Sequence, residues 1–369
     1  MRLFTDIEPD AAPRRRRARI GWAFLAAALI GLTAVAVAPA PYVIEQPGPV
    51  YNTLGDVTAG DKSVTLISIP SEKTYPTAGS LDMLTVSIRG NRANLPNWFE
   101  VAAAYLDPSR AVVDIDRIYP VGQTVEQSNQ QGATEMANSQ KSAIAAALTE
   151  LGYTLPTTLT AVEIEPGYPA DGKLMVNDVI VSVNGATFAD VSQLRDALLA
   201  NGADAPATID ILRDGQPMSL QVTPVLSTGD NPAPVLGILV GSEYDFPFTV
   251  TIQLENVGGP SAGMMFALGI IDKLTPGELN GGKDIAGTGT IDATGVVGAI
   301  GGIRQKMYGA VDAGATYFLA PADNCNEVTG HIPPGLTVFA VKTLDDSLAA
   351  LKAISSGGDT TDLPHCPLG

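Results

Sequence analysis

The chain has 369 residues, room for two or three domains, and a formal net charge of −17. The charge is unevenly placed: residues 1–19 hold six Arg against three acidic residues, which leaves 16 Lys+Arg against 36 Asp+Glu in the remainder. An acidic body of this kind excludes a nucleic-acid binder, which needs basic patches on its surface.

Arg14, Arg15, Arg16, Arg17 and Arg19 stand directly before an uncharged apolar run over residues 20–38. At about 1.5 Å per residue such a run covers roughly the hydrocarbon core of a bilayer. The arginines predict a cytoplasmic basic tail (1–19), a single transmembrane helix (20–38) and an extracytoplasmic remainder, the usual bias of positive flanks. The rival reading is a cleaved signal peptide, because Ala36-Val37-Ala38 has the small residues of a cleavage site. Against it, Pro39 would follow the cut and the run is longer than a signal core.

A proline-rich exit segment (39–49) leads into a first region, residues 42–150. Residues 62–70 and 82–89 read as strands, and 134–151 as a helix stopped at Gly152. Residues 151–228 form a second unit. A strand over 160–164 runs into Pro166-Gly167-Tyr168-Pro169-Ala170, and Asn177-Asp178-Val179-Ile180-Val181 begins another that ends at Val183-Asn184-Gly185. A helix over 191–200 and a hairpin turning at Asp214-Gly215 complete it. These two segments resemble a bacterial PDZ domain. The resemblance implies peptide binding by strand addition to a sheet edge. The stretch 151–159, which would supply the first strand and carboxylate-binding loop, is short and carries Pro156.

The third region, 240–355, alternates strands and helices as an α/β domain does. Its strands are expected over 248–254, 285–291, 296–300 and 316–319, and its helices over 260–274 and 303–313. A strand–helix pair covers 336–353, and 356–369 reads as a mobile tail.

Two segments of this region carry chemistry. Gly258-Gly259-Pro260-Ser261-Ala262-Gly263 puts a serine at the mouth of a predicted helix, where backbone N–H groups and the positive helix end could stabilise an oxyanion. Pro260 suits a first helical turn, and the glycines let a substrate backbone approach. A plain helix cap is the alternative for Ser261. The second segment, Gly301-Gly302-Ile303-Arg304-Gln305-Lys306, sets Lys306 beside the apolar face of Ile303, Met307 and Ala310. A half-buried lysine near a helix N-terminus loses solvation and feels the dipole, which favours the neutral amine of a general base. With only His331 and His365 in the chain, a Ser-His-Asp triad has little to draw on.

Gly259-Pro260-Ser261-Ala262-Gly263, Thr288-Gly289 and the Lys306 segment together closely resemble the proteolytic domain of Lon proteases. The resemblance implies Ser261 as nucleophile, Lys306 as base and Thr288 as the residue that orients the lysine, with Gly259, Pro260 and Ala262 in support. Residues 75–81 and 136–143 resemble earlier segments of that domain, so the PDZ-like unit would be inserted into a discontinuous one. Gly258 departs from the family, many members of which place an acid there. The whole arrangement resembles bacterial membrane-anchored PDZ/Lon-like proteases. The expected fold is therefore α+β: one N-terminal transmembrane helix, a PDZ-like domain and a Lon-type proteolytic α/β domain. The expected function is serine endopeptidase activity on extracytoplasmic proteins or peptides, without ATP, metal or other cofactor. Homo-oligomers are compatible with it. A non-catalytic membrane-tethered scaffold and a Ser-Lys amidase on non-peptide substrates are the alternatives.

Residues 277–283 fit the first seven positions of a P-loop, but Asp284 stands where Ser or Thr must bind Mg²⁺, so the segment reads as a turn. Cys325 and Cys366 have no metal-ligand cluster nearby and could form a disulfide outside the cytoplasm.

Overall fold

A computed structural model describes residues 12–60, 62–120, 122, 124–188, 191–227 and 232–367. In chain order they build α1 (Ala12–Val37), β1 (Tyr42–Asn52), β2 (Ser80–Arg89), α2 (Trp98–Tyr105), β3 (Ala111–Asp114) and α3 (Val125–Glu150). There follow β4 (Thr157–Ile164), β5 (Val179–Val183), α4 (Val191–Asn201), β6 (Ala207–Arg213), β7 (Gln216–Val222) and β8 (Ile238–Tyr244). The last third holds α5 (Gly263–Leu274), β9 (Asp284–Gly287), α6 (Ile303–Asp312), β10 (Tyr317–Pro321), β11 (Thr337–Val341) and α7 (Leu344–Ser355). The chain divides into two compact units: the described residues up to Gln46 with Ser87–Val125, and Pro47–Val86 with everything from Glu126 on.

In the first unit, Ile20–Val37 of α1 is long and apolar enough to cross a membrane, and none of it is buried. The N-terminal half of β1 pairs antiparallel with β3, from Tyr42 opposite Asp114 to Glu45 opposite Ala111. Asn97 caps α2 in a reciprocal capping box with Glu100.

Among the described residues the second unit contains two main sheets and four two-stranded ones. The larger runs β11-β10-β9-β2-β1, and β2, β9, β10 and β11 are mutually parallel. Alternation along these strands sends Leu81, Met83, Ile285, Leu319 and Phe339 to one face, against α5, α3 and α7. It sends Leu84, Ala286, Phe318, Ala320 and Val338 to the other, against Ile303, Met307 and Ala310 of α6. Helices cover both faces, as a parallel sheet requires. Ser80 lies opposite Asp284 in the β2–β9 register, so one sheet unites the chain on either side of the smaller sheet, and the domain is discontinuous.

The smaller sheet runs β7-β6-β5-β4-β8. Its β6–β7 hairpin turns at Asp214 (φ 51°) and Gly215 (φ 75°), the two positive φ values of a type I′ turn. The strand that residues 151–159 were too short to supply comes from beyond the hairpin. β8 pairs antiparallel with β4, so the sheet crosses the boundary drawn at 240.

Several expectations needed correction. α3 begins at Val125 rather than 134, because its exposed first turns (Glu126, Gln130) show no apolar period to read. Of 248–254 only Thr251–Ile252 pairs; Phe248, Val250 and Leu254 cover the core instead of extending a ladder. The tail packs against the domain near its described end. Cys366 is buried and disulfide-bonded to Cys325, Ala340 N–H donates to Pro364 O, and His365 packs on Phe339. The bridge closes a loop of 41 residues, which in the chain-entropy account contributes about 4 kcal/mol. Cys366→Ala is expected to lower the thermal midpoint accordingly. An unchanged midpoint would assign the hold on the tail to its packing alone.

Candidate active site

The parallel sheet explains where the chemistry gathers. α5 lies on one face and α6 on the other, and the loops that lead into both meet beyond the carboxyl end of β9, the usual site position in open α/β sheets. Ser261 precedes α5, Thr288 directly follows β9, and Lys306 stands in the second turn of α6. Lys306 Nζ is 2.7 Å from Ser261 Oγ and 2.9 Å from Thr288 Oγ1. Thr288 Oγ1 in turn donates to Ser261 O at 3.0 Å, and Gly289 N–H donates to the same carbonyl at 2.9 Å. The Thr288 hydroxyl hydrogen is thereby committed, which leaves its oxygen to accept from the lysine.

Lys306 is 2 % exposed and Thr288 1 %, so the lysine is fully buried rather than half-buried. Burial alone pushes the Lys306 pKa from the ordinary 10.5 to about 7. No carboxylate forms a salt bridge with it among the described residues. Arg304, the other basic residue of the segment, turns away and donates to Glu327 O.

The serine is not a helix cap. Ala262 holds that position, without a side-chain cap bond, and Phe266 N–H donates to Ala262 O as the first rung of α5. Pro260 and Ser261 therefore lie outside the helix, in a turn, whereas the sequence put them in its first turn. Among the described residues no acceptor takes the N–H of Ser261 or Ala262. Both amides remain available to an incoming oxyanion.

What holds this turn comes from α3 and was missed from the sequence. Ser139 Oγ donates to Pro260 O at 2.8 Å, and Gly259 N–H donates to Gly132 O at 2.9 Å. Gly132 and Gly258 cross at backbone contact. A Cβ at Gly258 would stand 3.1 to 3.3 Å from the Gly132 backbone. A side chain at Gly258 would therefore press on the Gly132 backbone. Gly259, at φ 86°, makes the turn. Met136-Ala137-Asn138-Ser139 lies far from Ser261 in sequence, and only the fold brings it to the serine. Among the described residues Glu255 forms no salt bridge with Lys306, and the ring nitrogens of His331 and His365 meet backbone carbonyls nearby in sequence or on β11, away from Ser261.

Residues 277–283 form a turn organised from within. Asn280, fully buried, donates to Ala78 O and Lys283 O and accepts from Gly282 N–H. Among the described residues no group of three His, Cys, Asp or Glu is placed to hold a metal ion.

Comparison with known proteins gives the class of each part. Residues 256–353 match the Lon protease (S16) C-terminal proteolytic domain, and residues 122–223 match the PDZ domain family. The chain thus carries a Lon-type proteolytic domain and a PDZ domain. Among individual relatives, the Lon protease of Geobacter metallireducens is 36 % identical over 111 residues, 29 % of this chain and 13 % of its own length. Lon protease 2 of Herpetosiphon aurantiacus is 41 % identical over 93 residues, 24 % of this chain and 11 % of its own. The chain therefore spans only a small fraction of these relatives. A solved PDZ domain, from the SdrC-like protein of Listeria innocua, aligns with 22 % of this chain and 92 % of its own at 18 % identity and TM-score 0.21.

Proposed function

We propose that the chain is a membrane-anchored serine endopeptidase working with a Ser261–Lys306 dyad. The observation that carries this reading is the 2.7 Å contact between Lys306 Nζ and Ser261 Oγ, in a buried setting that favours the neutral amine, inside a Lon-type domain. Ser261 Oγ attacks the scissile carbonyl carbon while its proton passes to the Nζ lone pair. The Ser261 and Ala262 amides hold the resulting oxyanion. Collapse breaks the C–N bond, and Lys306 returns the proton to the leaving amine. Water then attacks the acyl-enzyme, giving its proton to Lys306, and Ser261 leaves with that proton. Thr288 acts as a positioning residue for the amine.

The PDZ part selects or gates substrate segments, and β8 supplies a sheet edge on which an extended peptide could add. In this reading catalysis does not use ATP at the segment 277–283, where Asp284 stands in place of the Mg²⁺-binding hydroxyl of a P-loop. α1 is retained as the anchor, with the arginines before it on the cytoplasmic side and the protease outside. The test is intact mass and peptide mapping after treatment with a serine-directed peptidyl electrophile. One adduct, mapped to Ser261, is expected. A fully folded protein that takes no adduct, or takes it elsewhere, overturns the assignment.

A further inference from the structure

An amphipathic helix on a protein surface turns charged or polar residues outward. α2 does not. Its inward positions, Val101 and Ala104, are 2 % and 1 % exposed. Its outward positions and the residue that follows are Trp98, Phe99, Ala102, Ala103, Tyr105 and Leu106, an apolar set without a charge. Phe99, Tyr105 and Leu106 are 69 %, 70 % and 87 % exposed. Glu100, the one charged residue of the helix, is drawn aside into the capping box with Asn97 and an ion pair with Arg89.

The position of this face says what covers it. Trp98 N–H donates to Ala38 O, the residue just beyond the apolar span Ile20–Val37. Ala40 N–H donates to Pro96 O at 2.8 Å, Pro39 and Asn97 form a bridge, and the Trp98 ring meets Tyr42 edge-on at 5.8 Å. α2 is thus fastened to the mouth of the span. The chain has two tryptophans, Trp22 near the start of the span and Trp98 at its exit. Trp22 and Ala38 are sixteen positions apart, about 24 Å at 1.5 Å per residue. Tryptophan and tyrosine concentrate at both faces of a bilayer, where their rings sit at headgroup level.

We infer that α2 is an interfacial helix that buries Trp98, Phe99, Tyr105 and Leu106 at the headgroup–acyl boundary of the membrane that α1 crosses. The inference rests on the reading of α1 as a retained span. It gives the first unit a second hold on the lipid beside the span itself, through the buried apolar area of a helix lying in the surface plane.

The test uses the full chain in phosphatidylcholine nanodiscs whose acyl chains carry a nitroxide quencher near the headgroup or near the terminal methyl. Trp22→Phe, a change remote from α2, leaves Trp98 as the sole indole; Trp98→Phe leaves Trp22. The shallow quencher is expected to reduce Trp98 emission roughly to half and the deep one to leave it nearly unchanged, as for a ring at headgroup depth. Leu106→Asp in the Trp22→Phe background is expected to restore most of the lost emission. If neither quencher touches Trp98 while Trp22 is quenched, the interfacial helix is refuted and the span stands. Stronger quenching of Trp98 by the deep label refutes the interfacial depth. If neither indole is quenched, the span reading fails and takes the inference with it.

Discussion

Replacing Lys306 with Met is expected to slow acylation of Ser261 severely while making the folded protein more stable. The loss follows from geometry: among the described residues, Nζ is the one basic group within hydrogen-bond reach of Ser261 Oγ. Removal of a positioned general base lowers the rate on the order of 10²–10⁴-fold. The gain follows from linkage. Burial lowers the Lys306 pKa from 10.5 to about 7, so between these values the unfolded chain binds more protons than the folded one, and stability rises with pH across that window. Below about pH 7 the folded wild type carries the full penalty of a buried ammonium, on the order of 5 kcal/mol for a shift of this size. Met, unbranched and of similar length, removes that penalty. The gain should be greatest below pH 7 and shrink as pH climbs toward 10.5. Denaturant unfolding at pH 6 and pH 9 measures it, and equal gains at both would show that Lys306 does not titrate in that range. In the wild type the same pKa predicts that kcat/KM rises with pH through about 7.

Thr288→Val is expected to lower kcat about 10- to 100-fold, with KM little changed, from the loss of a hydrogen bond worth about 1–3 kcal/mol at the base. The side chains are nearly the same size, and β9 and its neighbours should be undisturbed. The hydroxyl has two partners, Ser261 O and Lys306 Nζ, and its loss frees the amine to leave the serine. Thr288→Ser keeps the hydroxyl and should restore most of the rate. A Val variant with wild-type kcat would remove Thr288 from the site, and a rise in KM alone would make it a substrate contact.

The Ser261–Lys306 contact could be anticipated from the sequence because each partner sits in a short segment whose own turns and helix determine its position. Pro260-Ser261-Ala262 and Gly302-Ile303-Arg304-Gln305-Lys306 need only two local elements to be recognised, and the sheet brings them together. What stayed hidden depends on partners far along the chain. Ser139 reaches Pro260 across 121 residues, and nothing in Asn138-Ser139-Gln140 announces a bond to that carbonyl. The depth of Lys306 could not be read from α6 alone, since its burial comes from the turn before α5 and from Thr288 after β9. The same holds for β8, whose residues 238–244 carry a strand's pattern but find their place only against β4. Residues 357–367, rich in Gly, Asp and Pro, have the composition of a tail, and their packing through Leu363, Cys325 and β11 depends on partners far back in the chain.

The β2–β9 register has a consequence for synthesis. Ser80 and its partner Asp284 are about 200 residues apart in the chain. At 5–20 residues per second, about 10–40 s pass between the appearance of β2 and the strand that completes its parallel pairing. During that interval Leu81, Met83 and Leu84 lie on an unfinished edge, open to any other extended chain. The smaller sheet, whose strands all fall between residues 157 and 244, can finish within that interval, and once folded it holds the two ends of the insertion near each other. The proposed Ser261–Lys306 pair cannot meet until α6 has emerged, so the site it would form assembles only after both β9 and α6 are available.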